Sequence, residues 1–207
     1  MTANTQAYTG QAKLSDMTTE WNRMQFAIRS IMNGMATAQL VQVKAVSGDT
    51  VDIQPMVAQL DGAGNAVPHG TIHNIPIWRL QGGTSGVIVV PAVGDIGLAV
   101  FASSDISGVK RAKQPTTPGS RRRFDWADGI YLGGVLNAEP TQFIRMDEAG
   151  ITITAGSGLP VTINADEVVV SGKITTGAGS TFNGVPFDSH RHTGVTTGGG
   201  TSGGPTS

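Results

Sequence analysis

The spacing of apolar residues along the chain changes twice. Around residues 15–34, "SDMTTEWNRMQFAIRSIMNG", the residues Leu14, Met17, Trp21, Met24, Ile28, Ile31 and Met35 recur at alternating intervals of three and four. That is a helical seam three heptads long. Ser15 or Asp16 is placed to cap the start of this helix, and Gly34 to close it. Such a seam packs a helix either on its own domain or against partner subunits. From residue 37 the period drops to two. "TAQLVQVKAV" alternates, "SGD" supplies a turn, and "TVDIQPMV" alternates again, which predicts a hairpin. "GTIHNIPIWRL", "GVIVVPAVG" and "DIGLAVFAS" predict further strands, separated by glycine-rich turns such as "QGGTSG". About five short strands in this span suit a small Greek-key barrel of the OB type. Pro55, Pro76 and Pro91 fall near strand ends or edges, where a missing N–H is tolerated.

The alternation then breaks. "PTTPGSRRRFDWADGIYLGG", at 115–134, reads as a connector between two architectures. Beyond it come short segments, "GITITAGSG", "LPVTINADE", "VVVSGKITTGAG" and "TFNGVPF", divided by Gly, Asn or Asp. Their apolar set is Ile151, Ile153, Val161, Ile163, Val168, Val170 and Ile174, and their other positions are threonine-rich or polar. These are one-faced rungs with too few large residues to close a core inside one chain. Stacked rungs need a cover. Three chains wound into a β-prism would provide it, each lending one wall to a shared apolar axis.

Composition narrows the class. Glycine makes up 29 of 207 residues, about twice the usual share of roughly 7%. Charged residues are 14% and the net charge is −1, so there is no global electrostatic pull toward nucleic acid or an acidic membrane. With no cysteine, disulfides and thiolate metal sites are excluded. No apolar run reaches the length of a membrane span, and "MTANTQAYTG" lacks a basic-then-apolar leader. The expectation is a soluble protein made in a cytoplasm.

The candidate chemistry lies in the tail, "DSHRHTGVTTGGGTSGGPTS", which holds His190 and His192, half of the four histidines. Residues i and i+2 of a strand point to the same side. In a three-fold prism both imidazoles of each chain would face the axis while Arg191 faces solvent. Six imidazole nitrogens make an octahedral set, suited to Fe(II) or Ni(II) rather than tetrahedral zinc. The glycine run 198–200 lets chain ends fold tightly where side chains have no room. A disordered tail is the alternative on composition alone. A hydrolytic metalloenzyme using His-x-His would need further ligands and a larger α/β scaffold, and His69 and His73 fall in the barrel region. Those two read as loop or barrel residues. No paired-carboxylate, nucleophile–His or phosphate-loop motif stands out, so no enzyme is expected.

In the order of its parts the chain resembles the central-spike, or membrane-piercing tail-tip, proteins of contractile phage tails and related injection particles. The resemblance covers residues 37–207. It rests on an OB-like barrel, the connector "SSDISGVKRAKQPTTPGSRRRFDWADGIYLGG", the Thr/Val/Ile/Gly rungs and the apex "FDSHRHTGVTTGGGTSGGP". The apex is the most specific element, and the N-terminal helix is not part of the match.

The fold class expected is therefore mainly β. An N-terminal helical segment (1–36) precedes an OB-fold-like barrel (37–114) and a connector (115–147). An intertwined trimeric β-helix (148–182) and a metal-bound apex (183–207) complete the chain. The resemblance implies a homotrimer at the tail tip of a virion, its barrel end on the baseplate hub or tail tube and its other end aimed at the host outer membrane. It implies one iron ion per trimer at His190 and His192. Some members of the family also bind calcium or chloride on the axis. No ligands for those match here, although Asp188 and Ser189 lie close to the histidines.

Rival readings are a trimeric receptor-binding adhesin tip and an OB-fold nucleic-acid binder. The first needs an exposed aromatic or acidic patch, and only Phe182 and Phe187 are aromatic beyond residue 150. The second needs stacking aromatics beside a basic groove. The barrel strands carry only Trp78 and Phe101, and Arg121–Arg123 reads as a solvated run. No nucleic-acid partner is expected.

Overall fold

In the structure, a computed structural model that describes residues 14–186, a 3-10 turn at Leu14–Met17 precedes helix α1 (Glu20–Asn33). The helix starts later than the apolar spacing suggests. Ser15 belongs to the preceding turn, where its carbonyl accepts from the Thr18 hydroxyl at 2.8 Å. Thr19 is the cap instead. Its backbone is extended and its Oγ1 accepts from Asn22 N–H at 3.1 Å, satisfying one of the first-turn donors. Gly34 closes the helix as expected, its N–H donating to the Ser30 and Ile31 carbonyls.

The alternating segments form strands β1 (Ala38–Ser47) and β2 (Thr50–Pro55), then short β3 (Gln59–Leu60) and β4 (Ala66–Val67), and β5 (Ile72–Pro76). They are followed by β6 (Leu80–Gly82), β7 (Ser85–Val87) and β8 (Ile96–Phe101). Gly48 opens the β1–β2 turn at φ +56°, the left-handed conformation that a two-residue hairpin requires there. After β8 come a short helix, α2 (Ser107–Ala112), a 3-10 turn at Trp126–Asp128, and β9 (Gly129–Gly134).

One antiparallel sheet runs in the order β5-β2-β1-β8-β9. Register shifts at Val43/Ala45, Val51/Ile53 and Leu98/Ala99 add local bend and twist. The sheet curls into a half-barrel. The curl brings the chain after β5 back to β9, where Trp78 N–H donates to the Tyr131 carbonyl at 2.7 Å. The concave face holds Val41, Val43, Val51, Ile53, Ile75, Ala99, Phe101 and Tyr131, and Ala36 joins them. These alternate along each strand with exposed or half-buried partners. Tyr131, fully buried, lies across Gly97, where any Cβ would collide with the ring.

Two stretches differ from the reading of the sequence. β9 falls inside the expected connector, yet it supplies the fifth strand of the sheet and the largest fully buried side chain. "GVIVVPAVG", expected as a strand, is one only to Val87, because the following residues have no neighbouring strand to bond.

The chain divides into two units, Met1–Pro140 and Thr141–Ser207. In the second, β10 (Phe143–Asp147) and β11 (Gly150–Thr154) form a hairpin, and β12 (Thr181–Phe182) and β13 (Val185–Pro186) a smaller one. Asn183 and Gly184, at φ 49° and 78°, are the Asn-Gly pair of a type I′ turn. Between the hairpins, the segments expected as rungs at 161–164 and 168–174 find no strand partner among the described residues.

Candidate assembly surface and apex site

The β10–β11 hairpin pairs Ile144 with Ile153 and Met146 with Ile151. Residues directly opposite share a face, so these four make an unbroken apolar side. On the other side Arg145 pairs with Thr152 and Phe143 with Thr154, and the Arg145 guanidinium lies 4.8 Å from the centre of the Phe143 ring. The hairpin is thus strongly two-faced. Ile144 and Met146 were absent from the apolar set read in the sequence because they fell in the expected connector. The alternation in "FIRMD" is the signal that marks them.

The apolar side is open. Ile144, Met146, Ile151 and Ile153 are 63, 73, 69 and 58% exposed. Val161, Ile163, Val168, Val170 and Ile174, the rest of the rung set, are all more than half exposed as well. No residue between 141 and 186 is buried. Scattered apolar residues on a surface are ordinary, whereas a whole segment whose large aliphatic side chains all stand in water is not.

His190 and His192, with Asp188, Ser189 and Phe187, lie outside the described residues. Among the described residues no group of three or more His, Asp or Glu side chains comes together at metal-binding distance.

The other two histidines have separate local roles. The His69 carbonyl accepts from Gln54 Nε2 at 2.7 Å, and its ring lies 4.8 Å from that of Trp126. His73 Nδ1 sits 2.7 Å from Asp52 Oδ2, and Asn74 N–H donates to Asp52 Oδ1. The hydrogen bond with His73, joined by the one from Asn74, holds the Asp52 carboxyl below its ordinary value. His69 lines a cleft of about 600 Å³ with Met32, Met35, Val57, Leu60 and Trp126. Among the described residues it is the one ionisable side chain on that wall.

The aromatics divide. Phe101 is in the core, packed edge-on against Trp126 with ring centres 5.0 Å apart, whereas Trp78 is half exposed. The arginine run is not uniformly solvated. Arg122 Nε donates to Asp128 Oδ2 at 2.7 Å, and its Nη2 reaches Asp128 Oδ1 at 2.9 Å and Asp105 Oδ1 at 2.8 Å. Both carboxylates are buried. The Ser107 hydroxyl and N–H, then Ser120, then the charge of Arg122 lower the Asp105 carboxyl to about 2. Hydrogen bonds from Arg122 and from Ile106 N–H lower that of Asp128, and Asp128 in turn raises Arg122 further above its ordinary value. This clasp pins the segment before β9 onto the barrel. The acidic partners, more than twenty residues apart in sequence, gave no local signal.

No known protein family matches the chain, and no curated protein matches it.

Proposed function

We propose that the chain is the homotrimeric central spike at the tip of a contractile tail or related injection particle. One observation carries this reading. Every aliphatic side chain of the rung set, and the whole apolar side of the β10–β11 hairpin, faces water in the single chain. Three copies wound about one axis would cover that side and would supply the missing strand neighbours of residues 155–180. The order of parts in the sequence, ending in His-x-His and a glycine run, supports a spike rather than a generic trimer.

In this reading the work is mechanical, not catalytic. Sheath contraction drives the spike through the host outer membrane, while its base sits on the baseplate hub or tail tube. The protein must be narrow and slow to unfold, and burying the apolar side of three intertwined chains makes unfolding slow. His190 and His192 would hold the ion at the apex, and imidazole donors suit a divalent first-row ion such as iron. A bound ion would cross-link the three chain ends and resist fraying under load.

Sedimentation with elemental analysis tests the proposal. A trimer carrying about one ion per three chains supports it. A folded monomer at micromolar concentration refutes the spike, and a trimer without transition metal after chelator-free purification refutes the apex.

A further inference from the structure

The seam of α1 is as open as the distal surface, on a different part of the chain. Trp21, Met24, Ile28 and Ile31 are 65, 54, 51 and 68% exposed, and no residue of the helix is buried; Met17, in the turn before it, is exposed too. The helix turns a different side toward its own barrel. Phe26 and Ser30 are half-buried and line a shallow groove with Leu60 and Asp61. Within α1 the heptad stripe is therefore not spent on the fold of the first unit, although packing on the own domain was one of its two possible uses; only Met35, past the closing Gly34, is half-buried there.

We propose that α1 forms a parallel, in-register three-stranded coiled coil with α1 of two other copies, a second assembly element separate from the distal surface. The inference rests on the trimeric reading above, and three observations commit the seam to copies of itself. First, Trp21, Met24, Ile28 and Ile31 keep the three-four spacing along α1, the repeat that lets helices supercoil with one another. Second, the charges suit self-association. Asp16, Glu20, Arg23 and Arg29 all lie off the seam. In a parallel in-register bundle the flanking positions meet as Glu20 with Gln25 of a neighbouring copy and Ala27 with Met32, so no like charges oppose. Gln25 Oε1 already accepts from Arg29 Nη2 at 3.1 Å, which leaves its amide N–H groups to donate to the Glu20 carboxylate. Third, the end of the helix is fixed to the barrel. Ala36 is fully buried and its N–H donates to the Phe124 carbonyl at 2.8 Å. Copies related by a three-fold axis therefore present their helices in the same direction, which selects the parallel arrangement.

The absence of cysteine makes the test direct. Trp21→Cys and Ile31→Cys are introduced singly into the full chain at opposite ends of the α1 seam, with Arg23→Cys as an off-seam control. Each is oxidised mildly and run denatured without reductant, while sedimentation of the unmodified chain gives its mass. The expected result is a trimer in which each seam variant alone forms covalent dimers at least about tenfold faster than the control. A trimer whose seam variants cross-link no faster than Arg23→Cys overturns the coiled coil and leaves the distal assembly standing. Cross-linking only when the Trp21 and Ile31 variants are mixed overturns it too, because those positions are about 15 Å apart along one helix and meet only antiparallel. A monomer removes both proposals.

Discussion

Ile153→Asp and Thr152→Asp place the same charge on neighbouring residues of β11 that point to opposite sides of one hairpin. In the single chain Ile153 is 58% exposed, so an Asp there keeps most of its hydration. The isolated chain should change in stability by no more than about 0.5 kcal/mol, the usual range for a surface substitution. In a trimer that covers the Ile144–Met146–Ile151–Ile153 side the outcome differs. Full burial of one such side chain contributes about 1.5–3 kcal/mol. Scaled by the exposure that remains, the four side chains have about 4–8 kcal/mol per chain still to gain. One Asp forfeits roughly a quarter of that gain and adds an unpaired buried charge costing several kcal/mol, repeated three times around the axis. Thr152, opposite Arg145 on the polar side, should accept the Asp with little change or a slight gain from the nearby guanidinium. Sedimentation velocity at micromolar concentration and heat resistance in detergent read the result. With residues 1–34 deleted, so that α1 cannot hold the copies together, assembly should be lost for Ile153→Asp and kept for Thr152→Asp. Equal damage from both, or a stable Ile153→Asp trimer in that shortened chain, would refute the assignment of that side to the interface.

The other expectations concern the barrel and the apex. Tyr131→Phe should leave the barrel as stable or raise its melting temperature, because the Tyr131 hydroxyl is buried without a hydrogen-bond partner among the described residues and a desolvated hydroxyl costs free energy; a clear loss in a thermal melt would expose an overlooked partner. Gly97→Ala should cost about 1–3 kcal/mol, since the new methyl collides with the Tyr131 ring, and a denaturant midpoint equal to wild type would contradict that packing. Asp105 and Asp128 have lowered carboxyl values in the fold, so their stabilisation is full above the unfolded carboxylate value of roughly 3.9 and fades as pH falls toward 2. Melts of wild type between pH 5 and 2 should fall more steeply than those of the Asp105→Asn, Asp128→Asn double variant, and parallel curves would count against the clasp. Replacing His190 and His192 by alanine should remove bound metal while sedimentation still reports a trimer.

What the sequence revealed depended on whether the physical cause was local. Strict alternation over "TAQLVQVKAV" and "TVDIQPMV", with a glycine at the turn, led directly to β1 and β2, since both strands pair with each other. Gly34 stopped the helix where expected, but its start was misplaced: Ser15 and Asp16 are good capping residues captured by a separate turn. β9 was hidden because its reason for being a strand is non-local. Tyr131 needs the gap at Gly97, and the preceding segment needs Arg122 drawn in by Asp105 and Asp128. The apolar run after Val87 failed the other way, with β-branched residues but no strand to bond. In the distal unit the one-faced pattern was legible but its first two members, Ile144 and Met146, were assigned to a connector. The His-x-His apex lies outside the described residues.

The two units differ in where their stability comes from. Among the described residues the first holds nine buried apolar residues around one curled sheet, together with a buried charge clasp, a core that one chain supplies. The second has no buried residue between 141 and 186, and so within one chain there is almost no hydrophobic term to offset the conformational entropy of ordering it, about 1–2 kcal/mol per residue. In the proposed trimer the other two chains would supply that missing burial. It follows that dilution should act on the two units differently. The barrel should melt at a temperature independent of protein concentration, whereas order in the distal unit should depend on concentration or, once assembled, persist only through a slow dissociation rate. Hydrogen exchange on a chain trapped as a monomer by Ile28→Asp together with Ile153→Asp would separate them, with β1, β2 and β8 protected and residues 155–180 exchanging at the rate of an unstructured peptide. Protection of that stretch in the monomer would mean that one chain suffices to order it, and the case for a shared axis would lose its physical basis.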